Sequence, residues 1–389
     1  MKRLFANLSL LIASVVFALL LLEGMLRFLP VNEGLRAQAV NTKQPIYRFK
    51  PNRVAQYSHR WDFDIRNAVR VNNYGFVSDQ DYDPTSPSPL FAVIGDSYVE
   101  AQMVPFAESI AGRLQAKVKD KARVYAFAAS GSGLAQHMAY AKYARDEFRP
   151  TAFAFVIIAN DFVESLAHRN ASNGFHRFVR DGATDWRMDL KEYEPSVLRR
   201  LLRNSKLAMY LMTNVKVHVK LNYAVGNAQL PFSLGGKDQG RRFVGNVDFH
   251  ADQALWRDAT WAAAIYLDNL PQWAGVRPDH IVFVVDGIRP QLYEKDGLEG
   301  VAGSFWARMR EHFITEAKKR GYEVIDMQQR FIASYQKKKK RFEFPTDFHW
   351  NSEGHAAAAE AATGGEVWSR FRRNLNTENS NSGTGMRFR

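Results

Sequence analysis

The chain begins with a long apolar segment. Hydrophobic residues fill positions 4–22, interrupted only by small polar residues, and Lys2 and Arg3 precede them. Crossing a bilayer takes about 20 apolar residues. The segment lacks the small-x-small site that ends a cleaved signal peptide, which is the alternative interpretation. The pattern predicts an uncleaved anchor over residues 1–23, with Lys2 and Arg3 in the cytoplasm and the rest of the chain outside.

Short apolar runs alternate with helix-like segments after a juxtamembrane and lead-in segment at 24–87. The runs are continuously apolar, as in strands that helices cover on both faces. This alternation predicts parallel crossovers and an α/β fold over residues 88–373. The predicted strands are 90–94, 124–129, 152–158, 281–285 and 323–325, and the predicted helices are 105–118, 134–145, 302–319 and 354–371.

The alternation breaks between residues 163 and 250, and this stretch is predicted to be an insertion beside the sheet. Within it, residues 196–217 combine leucines with arginines at helical spacing. That pattern predicts a basic amphipathic helix packed on the domain with its basic face in water, the alternative being a membrane-surface helix. Residues 374–389 are rich in Asn, Ser, Gly and Thr, which predicts a disordered tail.

Composition narrows the partners and the chemistry. The net charge of +13 favours anionic partners such as phospholipid headgroups, acidic polysaccharide or nucleic acid, although a solvated basic surface explains it equally well. The five consecutive cations at 337–341 have the same two explanations. The chain has no cysteine, which excludes disulfides, thiolate zinc sites and cysteine nucleophiles.

Polar residues and glycines follow three of the predicted strands. Ser97 comes after the first strand, Gly131 after the second and Asn160 after the third. Ligands of open α/β sheets bind at the carboxyl ends of the strands. A serine hydroxyl, a glycine backbone N–H and an Asn amide can there serve as nucleophile and oxyanion donors. Taken singly, each residue is explained equally well by a helix cap or a turn.

A serine nucleophile needs a base, and the base needs an orienting acceptor. Asp347 and His349 could supply both from one loop shortly before the last predicted helix. His355 is the alternative base, but no acid stands three residues before it. A second Asp-x-His, formed by Asp248 and His250, is predicted to be structural because nothing places it at a strand end.

These residues and their order resemble the four blocks of SGNH/GDSL hydrolases. The matching positions are Gly95-Asp96-Ser97, Gly131, Asn160 and Asp347/His349. The resemblance covers most of residues 70–371, apart from the insertion. It implies a flavodoxin-like three-layer α/β/α sandwich and no metal or organic cofactor. The same resemblance implies Ser97 as nucleophile, His349 as base and Asp347 as its partner. It also implies an oxyanion hole formed by Ser97 N–H, Gly131 N–H and the Asn160 side chain.

The chain departs from the usual family pattern in three places. Tyr98 stands where Leu is usual, Ala159 stands where Gly is common, and Asp347 and His349 are two residues apart rather than three. The final block looks more like that of membrane-tethered or periplasmic relatives, including proteins that O-acetylate exopolysaccharides such as alginate. The expected location is therefore the bacterial inner membrane, with the catalytic domain in the periplasm.

The expected function is a serine esterase that acts through an acyl-enzyme on an acylated extracytoplasmic substrate, such as an O-acetylated glycan. The first alternative is an O-acyltransferase that passes the acyl group to a polysaccharide, because the same residues serve both reactions. The second is a membrane-tethered binding protein with a vestigial site. The expected partners are the lipid bilayer and an ester substrate. Nucleic acid is not expected, because the sequence contains no recognisable nucleic-acid module.

Overall fold

The computed structural model describes residues 2–170, 172–182, 185–217, 253–289 and 291–382. The Asp-x-His of residues 248–250 lies outside them, as does part of the predicted insertion. The strands are β1 Arg53–His59, β2 Ile65–Val71, β3 Leu90–Gly95, β4 Arg123–Ala128, β5 Ala152–Ile157, β6 His176–Asp181, β7 Asp185–Leu190, β8 Ile281–Val285, β9 Glu323–Asp326, β10 Glu343–Phe344 and β11 Asp347–Trp350.

Helices flank these strands and precede them. The α-helices are α1 Lys2–Leu26, α2 Ser97–Glu100, α3 Ile110–Val118, α4 Leu134–Phe148, α5 Asp161–Glu164, α6 Val197–Leu202, α7 Lys206–Met209, α8 Gln253–Ala274, α9 Phe305–Lys319, α10 Met327–Lys338, α11 Ser352–Thr363 and α12 Glu366–Ser382. Single 3-10 turns cover Phe106–Glu108, Lys119–Lys121, Pro278–His280, Gln291–Tyr293 and Glu299–Val301, and a π-helical turn covers Tyr210–Asn214.

Five parallel strands form the central sheet in the order β4-β3-β5-β8-β9. Numbered along the chain, this is the flavodoxin-like order 2-1-3-4-5. Residues of β3 alternate between two cores, with Phe91 and Val93 on one face and Ala92 and Ile94 on the other. Helices α4, α8 and α9 cover one face, and α3, α11 and α12 cover the opposite face. The predicted α/β sandwich with a parallel, flavodoxin-like sheet is confirmed.

The lead-in segment contains a regular antiparallel hairpin, β1–β2. Its inward side chains, including Tyr57, Ile65 and Val69, belong to the core on the α4 side of the sheet. The hairpin therefore packs onto the domain, and its tip reaches the residues around β11.

The segment predicted as one helix at 196–217 is divided, so that prediction is wrong in detail. Helix α6 ends at Leu202, and α7 starts only at Lys206. The Ser205 side chain accepts a hydrogen bond from Ala208 N, which caps a new helix and interrupts the old one.

At the other end of the chain, α12 extends to Ser382, into the segment predicted as a disordered tail from residue 374. Residues 383–389 lie outside the described part.

Within the described residues, one helix is long and apolar enough to cross a membrane, namely α1. Its composition and its place near the N-terminus also fit a signal sequence. Leu26, at its end, packs with Val31 and Met209.

Candidate active site

Ser97 begins helix α2, one residue after strand β3 of the central sheet ends. The Asp96 side chain caps this helix by accepting a hydrogen bond from Tyr98 N at 2.9 Å. Gly95 allows the tight turn, because a Cβ there would stand 2.5 Å from the Val99 side chain. The Ser97 hydroxyl is thereby presented at the carboxyl end of the sheet, where it lies 3.0 Å from Asp96 Oδ2.

The structure brings His349 and Asp347 to this hydroxyl. His349 Nε2 lies 2.8 Å from Ser97 Oγ, and the other ring nitrogen, Nδ1, is hydrogen-bonded to Asp347 Oδ1. The same carboxylate oxygen accepts the backbone N–H of His349 at 2.9 Å. Burial alone would raise the pKa of Asp347, but the neighbouring His349 and its hydrogen bonds hold that pKa well below its usual value. Asp347 is therefore an ionised acceptor.

The two residues lie on strand β11 rather than in the predicted loop. Side chains two residues apart in a strand point to the same face. The spacing of two therefore places the Asp347 carboxylate and the His349 ring side by side. This geometry accounts for the departure from the usual spacing of three.

Buried groups hold strand β11 in position. The Phe348 carbonyl accepts hydrogen bonds from Tyr98 Oη at 3.0 Å and Arg289 Nη1 at 3.2 Å. Arg289 is ion-paired with Asp286 at 2.6 Å, and Trp350 Nε1 donates to the other Asp286 oxygen at 2.9 Å. Tyr98, where the resembling family usually has Leu, thus connects helix α2, which carries Ser97, directly to the strand that bears His349.

Gly131 and Asn160 follow the strands on either side of β3. Gly131 has φ of +86°, which favours glycine. Its loop packs closely on the turn after Asn160. The fit needs glycine at 133, since a Cβ there would stand 2.5 Å from the Asp161 carbonyl oxygen. The Asn160 amide donates one hydrogen bond to Glu164 Oε2 at 2.9 Å. An amide has two N–H groups, so this bond orients Asn160 while the second N–H can serve another acceptor.

Several buried acids lie on or next to α2 and α5, the helices beside Ser97 and Asn160. Burial raises the pKa of Asp96 and of Asp161, raises that of Glu100 to about 7, and raises that of Glu164 to about 8. A protonated carboxyl adds no negative charge. Glu164 therefore keeps a proton near neutral pH, which lowers the negative charge beside Asn160.

Sequence reasoning missed a pair of residues behind Asp347. His59 Nε2 lies 3.7 Å from Asp347 Oδ2, and His59 Nδ1 lies 3.2 Å from Asp64 Oδ1. Both residues belong to the end of the β1–β2 hairpin. Burial lowers the pKa of His59, which favours its neutral form. No local motif indicated this contact, because it depends on how the hairpin packs against β11.

His355 occupies a different environment. It is buried on α11, its Nδ1 accepts a hydrogen bond from Ile110 N at 3.3 Å, and its ring packs edge-on against Trp350. Burial lowers its pKa to about 3, so it stays neutral. These contacts give His355 a structural role in the packing of α11.

The cationic run at 337–341 is partly neutralised. Lys340 forms an ion pair with Glu353, and Arg341 forms one with Glu343.

A cavity of about 530 Å³ lies beside the Gly131 turn. Phe175 lines it and stands 3.8 Å from where a Cβ on Gly131 would be. Tyr47 stacks on Phe175 with ring centroids 4.4 Å apart, and Arg199 and Arg203 also line the cavity. Aromatic faces with a few cationic groups suit a polar organic ligand. Among the described residues, no cluster of three or more His, Asp or Glu is arranged to hold a metal.

No protein-family model and no curated protein matches this chain. Three similar solved structures are a member of the lipolytic G-D-S-L family from Veillonella parvula DSM 2008, a psychrotrophic esterase from Pseudoalteromonas sp., and a protein from Slackia heliotrinireducens provisionally described as an SGNH hydrolase. Their identities are 11%, 9% and 13%, each with a TM-score of 0.34. The alignments cover 71%, 74% and 71% of this chain and 96%, 100% and 97% of those chains. The structural neighbours are consistently SGNH- or GDSL-like hydrolases, but TM-scores below 0.5 establish no activity for this chain.

Proposed function

We propose that this chain is an SGNH-type serine esterase that acts through an acyl-enzyme on Ser97. One observation supports the proposal above all others. The Ser97 hydroxyl, the His349 ring and the Asp347 carboxylate form a continuous hydrogen-bonded series at the carboxyl end of the sheet. This is the arrangement that converts a weakly nucleophilic hydroxyl into a strong nucleophile.

In the acylation step, Ser97 Oγ attacks the ester carbonyl while His349 Nε2 takes the hydroxyl proton. Asp347 fixes the tautomer of His349 and stabilises the imidazolium that forms. The tetrahedral intermediate then collapses. The bond to the alcohol breaks, and His349 gives its proton to that leaving oxygen, so an acyl-Ser97 ester and a neutral alcohol result.

Deacylation repeats these events with water as the nucleophile. His349 takes a proton from the water as it attacks the acyl carbonyl, and it returns that proton to Ser97 Oγ as the ester bond breaks. In both steps the carbonyl oxygen becomes an oxyanion. We assign its stabilisation to Ser97 N–H, Gly131 N–H and the amide of Asn160, which is held in place by Glu164.

The substrate we propose is an acylated glycan outside the cytoplasm, in the bacterial periplasm, with α1 as the inner-membrane anchor. The aromatic and cationic lining of the cavity beside Gly131 supports a sugar ligand, because aromatic rings pack on the apolar faces of sugar rings. The length and composition of α1 support the anchor. An acyl group is expected at Ser97, with the sugar extending toward Tyr47.

The direct test is turnover of p-nitrophenyl acetate by the full chain in detergent micelles. The wild type is compared with Ser97→Ala and with Ser86→Ala, a serine in the lead-in loop away from the site. Activity that disappears in Ser97→Ala and persists in Ser86→Ala is the expected result. Equal activity in wild type and Ser97→Ala would exclude Ser97 as the nucleophile. An inactive wild type would favour the vestigial binding protein.

The second candidate is an O-acyltransferase, favoured by the open cavity beside Gly131, which has room for an acceptor sugar. It uses the same acylation step, but a sugar hydroxyl replaces water. Incubation with labelled acetyl ester and an unacetylated polysaccharide separates the two reactions. Label that appears only as free acetate supports the esterase, whereas label on the polysaccharide that depends on Ser97 supports the transferase.

A further inference from the structure

Helix α6 presents its apolar side outward. Val197, Leu198 and Leu201 are 62%, 65% and 64% exposed. Arg203, just after the helix, turns instead toward the domain, where its Nη2 donates a hydrogen bond to the Leu35 carbonyl at 3.3 Å. A surface helix in water normally buries its apolar side and exposes its cations. The prediction that this helix packs its apolar face on the domain is therefore incorrect for α6, because its leucines are exposed together with Arg199 and Arg200.

Helix α6 lies where α1 meets the domain. Glu23, in the last turns of α1, accepts hydrogen bonds from Ser205 Oγ at 2.8 Å and from Leu207 N at 2.9 Å. These contacts join the end of α1 to the start of α7. Only three residues separate α7 from the end of α6. Phe28, in the turn that follows α1, is 91% exposed. The outward leucines and Phe28 are thus held close to the end of the apolar helix.

The tip of the β1–β2 hairpin is at the same end of the molecule. The Trp61 side chain is 61% exposed, and its carbonyl accepts a hydrogen bond from Tyr210 Oη at 2.9 Å. Phe63 packs against the Tyr210 ring with centroids 5.7 Å apart. Tryptophan is typical of the membrane–water interface. Three separate segments therefore place exposed apolar side chains around the end of α1.

We propose that these side chains rest in the headgroup region of the bilayer that α1 enters. We call the set Val197, Leu198, Leu201, Trp61 and Phe28 the interfacial platform. Arg200 is exposed on the same short helix and would lie at the level of the lipid phosphates. An apolar face with basic residues along its border is the pattern of a helix that lies in the interface of an anionic membrane.

The platform goes beyond the proposed esterase activity and rests on the proposed anchor. Its consequence is a fixed orientation of the domain. A single span would leave the domain free to tilt, whereas a second contact at the platform holds the active site at one height above the membrane.

The test uses depth-dependent fluorescence quenching, which the absence of native cysteine makes simple. The full chain is reconstituted into vesicles of equal parts phosphatidylcholine and phosphatidylglycerol. An environment-sensitive dye is attached at one introduced cysteine, in Leu201→Cys, Val15→Cys or Val54→Cys. Val54 is the matched control, because it is 64% exposed on the same hairpin as Trp61 but lies near the opposite end. Quenching is measured with nitroxide lipids labelled near the headgroup or near the chain end.

The expected result is strong quenching of Leu201→Cys by the shallow nitroxide, deep quenching of Val15→Cys and little quenching of Val54→Cys. Deep quenching at Val15 with no more quenching at Leu201 than at Val54 would overturn the platform while leaving the anchor intact. That outcome would assign the exposed leucines to a protein partner instead. Absence of quenching at Val15 would overturn the anchor itself, and the platform with it. Neither outcome bears on the esterase activity, which the p-nitrophenyl acetate assay measures separately.

Discussion

Individual residues determine the chemistry of the site, and the two residues behind Asp347 extend it. Asp347 has two oxygens. One holds the His349 ring, and the other faces His59, which in turn contacts Asp64. The His59 ring occupies the side of the carboxylate away from His349, so it limits how far the Asp347 side chain can turn from that histidine. His59 is therefore expected to act as a positioning residue through Asp347.

Replacement of His59 by Gln tests this role. We expect kcat to fall about tenfold, equivalent to ~1.4 kcal/mol, with little change in KM, because Asp347 loses its support while the substrate cavity is untouched. The control is His168→Gln, which alters an exposed histidine that pairs with Asp258 and has no contact with Asp347 among those found in the structure. Equal losses in both variants would indicate a general structural effect.

Glu164 provides a prediction about pH. Burial first, and then the charge of Asp96, raise its pKa from 4.5 to about 8. The folded chain therefore keeps a proton that the unfolded chain releases above pH 4.5, and stability falls as pH rises from about 4.5 to about 8. Glu164→Gln removes this titration and still offers an oxygen to Asn160.

We therefore expect Glu164→Gln to melt at least about 2 °C above the wild type at pH 8, for a gain of ~1 kcal/mol, and at nearly the same temperature at pH 4.5. Thermal unfolding followed by circular dichroism at the two pH values gives the comparison. A variant that is less stable than the wild type at both values would show that Glu164 is held as a charged, stabilising carboxylate.

At the scale of elements, the site depends on contact between two short segments, helix α2 and strand β11. Tyr98 joins them through its hydrogen bond to the Phe348 carbonyl, and the buried Arg289 bonds to both groups. A one-residue slip of β11 would turn His349 away from Ser97. The buried contacts of β11 are therefore part of what keeps the site assembled.

Replacement of Tyr98 by Leu, the residue usual in the resembling family, should consequently be harmful here. We expect a loss of about 1–3 kcal/mol of stability, because Phe348 and Arg289 each lose a buried hydrogen-bond partner, together with a several-fold lower kcat. Tyr98→Phe keeps the ring and loses only the hydroxyl, so it isolates the hydrogen bond. Wild-type stability and activity in both variants would contradict a positioning role for Tyr98.

Elements were predictable from sequence where one signal dominated. Continuous apolar runs located all five central strands within a residue or two, because burial on both faces leaves no other pattern. The break between α6 and α7 was missed, since a serine cap outweighed the leucine spacing. Ser97, Gly131 and Asn160 follow strands and were therefore identifiable. His59 and Glu164 were not, because their roles arise from a hairpin contact and from burial, which no local pattern records.

At the scale of the whole molecule, α1 and the domain are connected through Glu23, not only through the chain. A membrane anchor that is retained predicts that the full chain resists extraction by alkaline carbonate and keeps an intact mass that includes Lys2. Deletion of residues 2–22 retains the Glu23 contacts and should give an extractable protein. A mature form cleaved within or just after α1 would instead identify the segment as a signal peptide.

The central claim is that His349 activates Ser97 for attack on an ester, and covalent trapping tests it most directly. The full chain in detergent micelles is treated with a fluorophosphonate, digested and mapped by mass spectrometry, beside His349→Ala and His355→Ala. We expect a single adduct, on Ser97. It should form at least about a hundredfold more slowly in His349→Ala than in the wild type. A folded His355→Ala protein should form it readily. An adduct on another serine, or labelling of Ser97 that does not depend on His349, would contradict the claim.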